Sequence, residues 1–399
     1  MKILHTSDFH LGKSLEGFSR LDEQKKFLDF FISKASKMSA DIIIIAGDIY
    51  DSPNPPAIAE EYFYDFLKNL SDKTNSAIII IPGNHDSPKR LAGIRPLAKS
   101  HGIIIYENHD DSFTTGFYKN VEILSSENGV IKLKINNNVV NIIALPYISE
   151  VRLNKSIFNL SQGDDKNALS FEEKLSSIIN PKLSYISNNE YNILIAHLFT
   201  LNSKIDDSKT GYSLGGAYIV NCSILPADKL DYIALGHLHK HQAAGDTGKI
   251  FYSGSPIHYN KSETKTEEKS FLCVDIDEEK KLSVQKVNIP VFKKIDIWYA
   301  NSPAEAIQMS KDKKDEESFV YLNVKTDTPL SSLDIRQIKS YKKDIVEIRP
   351  ILSTKKFISI KDNMLEKTEE QKFIEFYKDR YNTEPDDNLI KRYMEILLH

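Results

Sequence analysis

The chain has 399 residues, of which 41% are hydrophobic and 27% charged, and its net charge is −4. This length exceeds what one hydrophobic core usually supports, so two or three domains are expected. The composition is too polar for a membrane protein, and the acidic balance argues against a broad basic surface for nucleic acid.

The sequence carries few signals of cellular compartment. Its start, MKILHTSDFH, contains no apolar segment of signal-peptide length, and no apolar run approaches the roughly 20 residues that cross a bilayer. Cys222 and Cys273 lie far apart and match no metal-binding spacing. We therefore expect a cytosolic (cytoplasmic) protein in which both cysteines are small buried hydrophobic residues.

The first predicted domain, residues 1–275, alternates strand-like apolar runs with helical patterns, which indicates a layered α/β fold. Apolar residues recur at helical spacing over residues 21–38 and again over residues 58–70. Ser170 and Glu173 resemble a capping box, so a third helix is expected to begin at Ser170.

Two smaller segments follow this domain. Residues 291–356 form a predicted α/β unit, in which the strand-like runs KKIDIWY, FVYLNV and IVEIRPI are separated by two short helical stretches. None of these runs ends in chemically active side chains, so we expect the unit to cap or shape a site built elsewhere. Residues 365–399 hold two short amphipathic helices, which either fold back on the body of the protein or dock on a partner.

Five apolar runs of the first domain each end in side chains that bind metals or protons. The runs are MKILHTSDFH, DIIIIAGDIYD, AIIIIPGNHD, YNILIAHLFT and DYIALGHLHK. Because α/β sheets place their sites beyond the carboxyl ends of strands, we expect these side chains to meet. The candidate metal ligands are Asp8, His10, Asp48, Asn84, His197, His237 and His239.

This donor set contains oxygen and imidazole ligands without a thiolate, which suits Mn²⁺, Fe²⁺ or Zn²⁺. It is too large for one tetrahedral ion. If one carboxylate bridges, the residues divide between two ions about 3.5 to 4 Å apart, the arrangement that promotes in-line displacement at phosphorus. Each motif alone is more often a turn or a buried histidine, but five in order after strands favour a metal centre.

Together, the motifs DFH, GD, GNHD, a strand-ending histidine and GHLH resemble the signature of the calcineurin-like metallophosphoesterases. Longer stretches, such as AGDIYDSPNPP, GNHDSPKRL and YSGSPIHY, are similar to DNA nuclease subunits of this family over residues 1 to about 260. The resemblance implies an α/β fold with a two-layer β-sandwich flanked by helices, followed by the small α/β capping domain and the C-terminal helical tail.

The resemblance also implies roles for individual residues, with Mn²⁺ as the usual metal of the family. The two ligand sets, bridged by Asp48, would be Asp8, His10 and His239 for one ion and Asn84, His197 and His237 for the other. His85 would face the scissile phosphate and either assist the leaving oxygen or stabilise the transition state, and Asp86 would orient the His85 ring. Asp51 is expected to support a ligand or to mark the start of a helix and not to bind the metal itself, whereas Lys13 and Arg90 either contact phosphate or remain solvated surface charges.

By the same resemblance, the chain would trim double-stranded DNA from 3′ to 5′ and cut single strands and hairpins in end processing, repair and recombination. Its partner would be an SMC-like ATPase, whose coiled-coil base the helical tail would grip, with two nuclease subunits forming a homodimer within a heterotetramer. The chain has no Gly-x-x-x-x-Gly-Lys-Ser/Thr loop, which agrees with ATP hydrolysis on the partner.

Two alternatives stay open at this point. A free-standing metallophosphoesterase would act on nucleotides or phosphoproteins, and a catalytically idle subunit would only bind DNA or serve as a scaffold. The extra domain and the tail favour the nuclease subunit, and the complete ligand set argues against the idle one. Lys261 and His241 depart from the family pattern, but neither is a predicted ligand, so we expect them to affect loop contacts only.

Overall fold

A computed structural model describes residues 1–148, 164–201, 219–265, 268–352, 368–381 and 383–397. The chain divides into two compact units, Met1–Ile295 and Asp296–His399. Within the described ranges, no helix combines the length and the apolar character needed to cross a membrane.

The first unit is built mainly of strands. In chain order they are β1 (Lys2–Thr6), β2 (Ser14–Leu15), β3 (Phe18–Ser19), β4 (Ile42–Ala46), β5 (Ala77–Ile81), β6 (Ile103–Ile105), β7 (Gly116–Tyr118), β8 (Val121–Glu127), β9 (Val130–Ile135), β10 (Asn138–Leu145), β11 (Tyr191–His197), β12 (Phe199–Leu201), β13 (Ile219–Asn221), β14 (Tyr232–Gly236), β15 (Gln242–Ala244), β16 (Ile250–Tyr252), β17 (Ser270–Ile276) and β18 (Leu282–Asn288).

Two large sheets contain most of these strands. In the part of the chain that the structure describes, one sheet has the order β18-β17-β1-β4-β5-β6 and the other β15-β16-β14-β11-β10-β9-β8-β7. β1, β4, β5 and β6 run parallel, and so do β10, β11, β14 and β16. Parallel neighbours bring their carboxyl ends to the same edge, which is the edge that carries the predicted site.

The isoleucine runs of β4 and β5 explain why these strands lie at the centre. Every residue of both strands is buried, as expected for parallel strands covered on both faces. Because side chains alternate along a strand, Ile43 and Ile45 pack toward the helices, whereas Ile42 and Ile44 pack into the core between the sheets.

Helices cover the outer face of each sheet. α1 (Leu21–Met38) and α2 (Ala57–Lys73) pack on the first sheet, two short helices α3 (Pro88–Ala92) and α4 (Arg95–Ala98) follow β5, and α5 (Asp164–Lys182) packs on the second sheet. The predicted helices over residues 21–38 and 58–70 and the two-layer β-sandwich flanked by helices are confirmed. The prediction that the third helix begins at Ser170 is wrong, because α5 already includes the residues DDKNAL that precede Ser170.

The second unit has a three-stranded sheet among its described residues, formed by β19 (Lys294–Ala300), β20 (Ser318–Thr326) and β21 (Ile345–Leu352). α6 (Pro303–Asp312) and α7 (Ser332–Tyr341) begin at the capping residues Ser302 and Ser331, whose side chains accept backbone N–H groups. The strands and helices predicted here are confirmed, whereas the capping role of residues 291–356 stays a prediction.

Two further helices, α8 (Glu369–Tyr381) and α9 (Asp387–Leu397), correspond to the predicted tail. They pack on each other through the stacked rings of Phe373 and Tyr393, whose centroids are 4.0 Å apart. Apolar side chains nevertheless remain exposed on both helices, among them Phe376 at 59% and Leu397 at 48%.

Candidate metal centre

The loops that carry the predicted ligands adopt backbone conformations that their residues disfavour. Asp8, His10, Asp48 and His237 have φ angles of 56°, 43°, 51° and 105°. Non-glycine residues adopt positive φ at a cost, which the surrounding structure must offset. Two of these loops interlock, because Asp8 N donates to Gly47 O and His10 N donates to Asp48 O, each over 2.9 Å.

The first predicted ligand set comes together as a compact group. One donor atom from each of Asp8, His10 and His239 lies within 4.8 Å of the others. His10 Nε2 lies 3.0 Å from His239 Nε2. The opposite ring nitrogens approach carboxylates, since His10 Nδ1 lies 3.3 Å from Asp51 and His239 Nδ1 lies 3.2 Å from Glu263. When the Nδ1 atom of each ring carries the proton, both Nε2 lone pairs face the same space, as two ligands of one cation do.

The second set lies beside the first. Asn84 Oδ1 is 3.0 Å from His197 Nε2 and 3.1 Å from His237 Nδ1. The His197 ring is oriented by its Nδ1, which donates to Ala46 O over 2.8 Å and leaves Nε2 free to bind a metal. One donor atom from each of Asp48, His197 and His237 lies within 4.8 Å of the others.

Asp48 stands between the two sets. Its Oδ2 lies 3.6 Å from His10 Nε2 and 3.4 Å from His197 Nε2, whereas its Oδ1 accepts the backbone N–H of His85 over 2.9 Å. One carboxylate therefore reaches both groups of imidazoles. Oxygen and imidazole donors arranged in two adjoining sets fit a pair of divalent cations.

Burial and neighbouring charges shift the pKa values of the two histidines in the second set. Burial lowers the pKa of His197, but the Asp48 carboxylate outweighs burial and raises that pKa to about 9. Burial and the neighbouring His197 lower the pKa of His237 to about 4. A protonated His197 compensates the buried Asp48 carboxylate, and a bound cation would supply the same compensating charge.

The glycines of the motifs permit close approach at this centre. A Cβ atom at Gly83 would lie 2.1 Å from Asp48 Oδ1, and one at Gly236 would lie 1.9 Å from Ala46 O. Both distances are far below van der Waals contact, so the loops close around Asp48 and His197 only because these positions have no side chain.

His85 is half-buried at the edge of the first set. Its Nδ1 donates to the backbone carbonyl of Asp51 over 2.9 Å, and its ring meets that of His10 edge-on at a centroid distance of 4.8 Å. With Nδ1 used in this way, Nε2 is the nitrogen that can reach a substrate.

The prediction that Asp86 orients the His85 ring is wrong. The buried Asp86 carboxylate instead accepts backbone N–H groups from Ile49, Tyr50 and Gly83 over 3.1, 2.9 and 2.8 Å. Its carboxylate is directed toward these loop amides, and the His85 ring bonds to the carbonyl of Asp51 instead. Burial and the charge of Asp48 raise the pKa of Asp86 to about 6. Asp86 therefore holds together the loops that carry the predicted ligands.

Two charged residues that the sequence left ambiguous have partners near the site. Lys13 Nζ lies 2.6 Å from Asp51 Oδ1, so Asp51 contacts both a lysine and the ring of His10, in the supporting position expected of it. Arg90 pairs with Glu60 at 3.1 Å on an exposed surface.

Both cysteines, Cys222 and Cys273, are free and buried, as predicted.

Sequence reasoning missed Glu263 and Lys269. Glu263 lies in the stretch whose departures were expected to affect loop contacts only, yet its carboxylate approaches the predicted ligand His239. Burial opposes ionisation of Glu263, but the hydrogen bond from His239 and the charge of Lys269 lower its pKa to about 2. The sequence feature that could have indicated Glu263 is the Ser-Glu pair that follows Lys261. The spacing of this pair does not indicate which ligand the glutamate approaches.

Comparison with known proteins places this centre in a family. Residues 1–241 match the calcineurin-like phosphoesterase family. The SbcD subunit of the nuclease SbcCD from Bacillus subtilis (strain 168) is 31% identical over 401 residues, which cover 99% of this chain and 97% of that protein.

Solved structures add little to this assignment. A dimetal phosphatase from Danio rerio is 11% identical with a TM-score of 0.40, over 73% of this chain and 97% of that one. A glutamine-dependent NAD⁺ synthetase from Acinetobacter baumannii is 10% identical with a TM-score of 0.34, over 98% and 69%. Both scores are too low to support an argument. On the sequence matches, the chain belongs to the calcineurin-like phosphoesterase family, as a homologue of the SbcD nuclease subunit, and is a metal-dependent hydrolase of phosphoester bonds.

Proposed function

We propose that this protein is a two-metal-dependent DNA nuclease that trims double-stranded ends from 3′ to 5′ and cuts single strands and hairpins in DNA repair and recombination. The observation that carries the proposal is the position of Asp48, whose Oδ2 lies within 3.6 Å of imidazoles from two separate ligand sets. Similarity along almost the whole chain to a protein named as a nuclease subunit supports DNA as the substrate.

Different residues of the chain have different roles at this site. Bound divalent ions, which we take to be Mn²⁺, would supply positive charge for the phosphate oxygens and activate water for attack at phosphorus. Asp8, His10 and His239 would hold one ion, Asn84, His197 and His237 would hold the other, and Asp48 would contribute to both. His85, whose Nδ1–H is held by the carbonyl of Asp51, would present Nε2 to the leaving oxygen; as the imidazolium it would transfer its Nε2 proton there and be left as the neutral ring protonated on Nδ1.

We further propose a partner and a place for this activity. The relative is by name one subunit of a nuclease SbcCD, which supports an SbcC-like, SMC-family ATPase as the partner of this chain. In this arrangement residues 365–399 grip the ATPase, residues 291–356 cap the metal site, and two copies of the chain form a homodimer within a heterotetramer. The buried free cysteines fit a reducing cytoplasm.

Removing the residues after Asp362 is expected to spare cleavage of simple DNA substrates and to abolish copurification with the ATPase, because the exposed apolar side chains of α8 and α9 would be lost. Coexpression with a tagged ATPase followed by pull-down measures this. In the full chain, Phe376→Asp should weaken capture, whereas Glu370→Gln, also on the exposed surface of α8, should not. Undiminished capture of the truncated chain would contradict the assigned role of the tail.

The nuclease assignment is tested with the purified full chain, Mn²⁺ and three substrates. These are end-labelled single-stranded DNA, a DNA hairpin and a small chromogenic phosphodiester. Cleavage of both DNAs, abolished by a chelator and restored by Mn²⁺, is the expected result. Hydrolysis of the small ester with both DNAs left intact, with and without the ATPase subunit, would instead favour a free-standing phosphoesterase acting on nucleotides or phosphoproteins.

A further inference from the structure

The carboxylate of Glu263 links a predicted metal ligand to a buried lysine. Its Oε1 lies 3.2 Å from His239 Nδ1, and its Oε2 lies 2.7 Å from Lys269 Nζ. The side chains of Glu263 and Lys269 are only 13% and 10% exposed. A charged pair this far from water persists only with good geometry and further hydrogen bonds.

Lys269 makes those further contacts around the same ligand. Its Nζ also donates to Ser255 Oγ over 2.7 Å and to the backbone carbonyl of His239 over 3.0 Å. One ammonium group thus holds both the carboxylate behind the His239 ring and the backbone of His239 itself. Glu263 accepts the backbone N–H of Tyr259 as well, over 3.2 Å, and the Tyr259 ring packs edge-on against that of His239.

The two ligand sets differ in what stands behind their histidines. In the first set, His10 and His239 approach the carboxylates of Asp51 and Glu263. In the second set, His197 donates to the neutral carbonyl of Ala46. A carboxylate behind an imidazole raises its basicity and its affinity for a metal more than a neutral acceptor does.

The directly binding groups differ in the same direction. Beside the shared Asp48, the first set contains the carboxylate of Asp8, whereas the second contains the neutral amide of Asn84. The first set therefore contains more negative charge than the second, both among the groups that would bind the ion directly and among the groups that contact those ligands. Unequal affinity for two identical cations follows from this difference.

We propose that Glu263, held by Lys269, is a positioning residue for His239 that makes the Asp8, His10 and His239 position the tighter of the two ion sites. The ions then load in order, the first position filling before the second. This inference rests on the two-metal centre of the proposed function.

Titration of Mn²⁺ into the metal-stripped full chain tests the inference, with free Mn²⁺ measured by its electron paramagnetic resonance signal. Wild type should show two classes of site. Glu263→Gln should weaken the tighter class by about 10- to 100-fold, the usual effect of losing a group behind a metal ligand, and leave the weaker class unchanged. Glu268→Gln, at an exposed position on the same segment, should change neither class.

A second variant separates an effect on fold stability from an effect on metal binding. Glu263→Gln leaves the buried Lys269 without its carboxylate, which destabilises the fold by itself. The double change Glu263→Gln with Lys269→Met removes that charge, and its thermal stability should recover while tight binding stays weakened. Recovery of tight binding along with stability would overturn the inference.

Other outcomes distinguish this inference from the proposed function. Two equal classes in wild type, or an unchanged tight class in Glu263→Gln, would overturn the inference alone. Failure of wild type to bind Mn²⁺ at all would overturn both.

Discussion

Replacing His85 by serine is expected to lower turnover on DNA by about two to four powers of ten, the contribution of a positioned proton donor. Both ions should still bind, because His85 is not one of the seven predicted ligands and its backbone N–H, which donates to Asp48, remains in the variant. Its ring anchor is the carbonyl of Asp51, which water can satisfy at this half-buried position.

The measurement pairs Mn²⁺-dependent cleavage of end-labelled DNA with the number of ions bound per chain. His101→Ser is the matched control, since His101 is also half-buried but bonds to Ser71 in a different part of the fold. Loss of an ion from His85→Ser would refute the assigned role, because His85 would then act as a ligand. Full activity with both ions bound would refute it as well.

Replacing Asp48 by asparagine should abolish binding of both ions at Mn²⁺ concentrations that saturate wild type. The change keeps an oxygen to accept the His85 N–H but removes the charge that faces His10 and His197. Each position loses a bridging anion, so affinity should fall by at least about 100-fold, the upper end of what a supporting group contributes. Cleavage of DNA should fall to background with it.

The contrast with Asp8→Asn makes this result specific. Asp8 belongs to the first set and lies within reach of His10 and His239, so its loss should cost one ion and leave the other. Circular dichroism spectra of both variants should match wild type, which separates metal loss from unfolding. Retention of one ion by Asp48→Asn would mean that the two sets do not share a bridge.

The chemistry of the site could be predicted from the types of the polar residues and from their positions directly after predicted strands. Apolar runs such as those of β4 and β5 have few alternatives to a buried parallel strand, and polar residues directly beyond them must lie at the sheet edge. For the same reason the structure brings all the predicted ligands into two adjoining groups. The helices over α1 and α2 followed from apolar spacing alone.

Side-chain contacts between loops that are distant in sequence could not be predicted in this way. Asp86 follows His85 in the chain, and the expected contact between them does not form, because the Asp86 carboxylate accepts three loop amides while the carbonyl of Asp51 holds the ring. Glu263 meets His239, which lies 24 residues away in the chain, in a contact that the ion pair with Lys269 supports.

Residue types and their order along the chain were enough to establish which side chains are available and which strand each one follows, since burial of apolar runs and the alternation of strands and helices are local properties. Which carboxylate faces which imidazole, and through which atom, was settled by the folded chain alone. These pairings depend on left-handed turns at Asp8, His10 and Asp48 and on the close approach that Gly83 and Gly236 permit. Such conformations are unfavourable in isolation and exist because packing across two sheets imposes them.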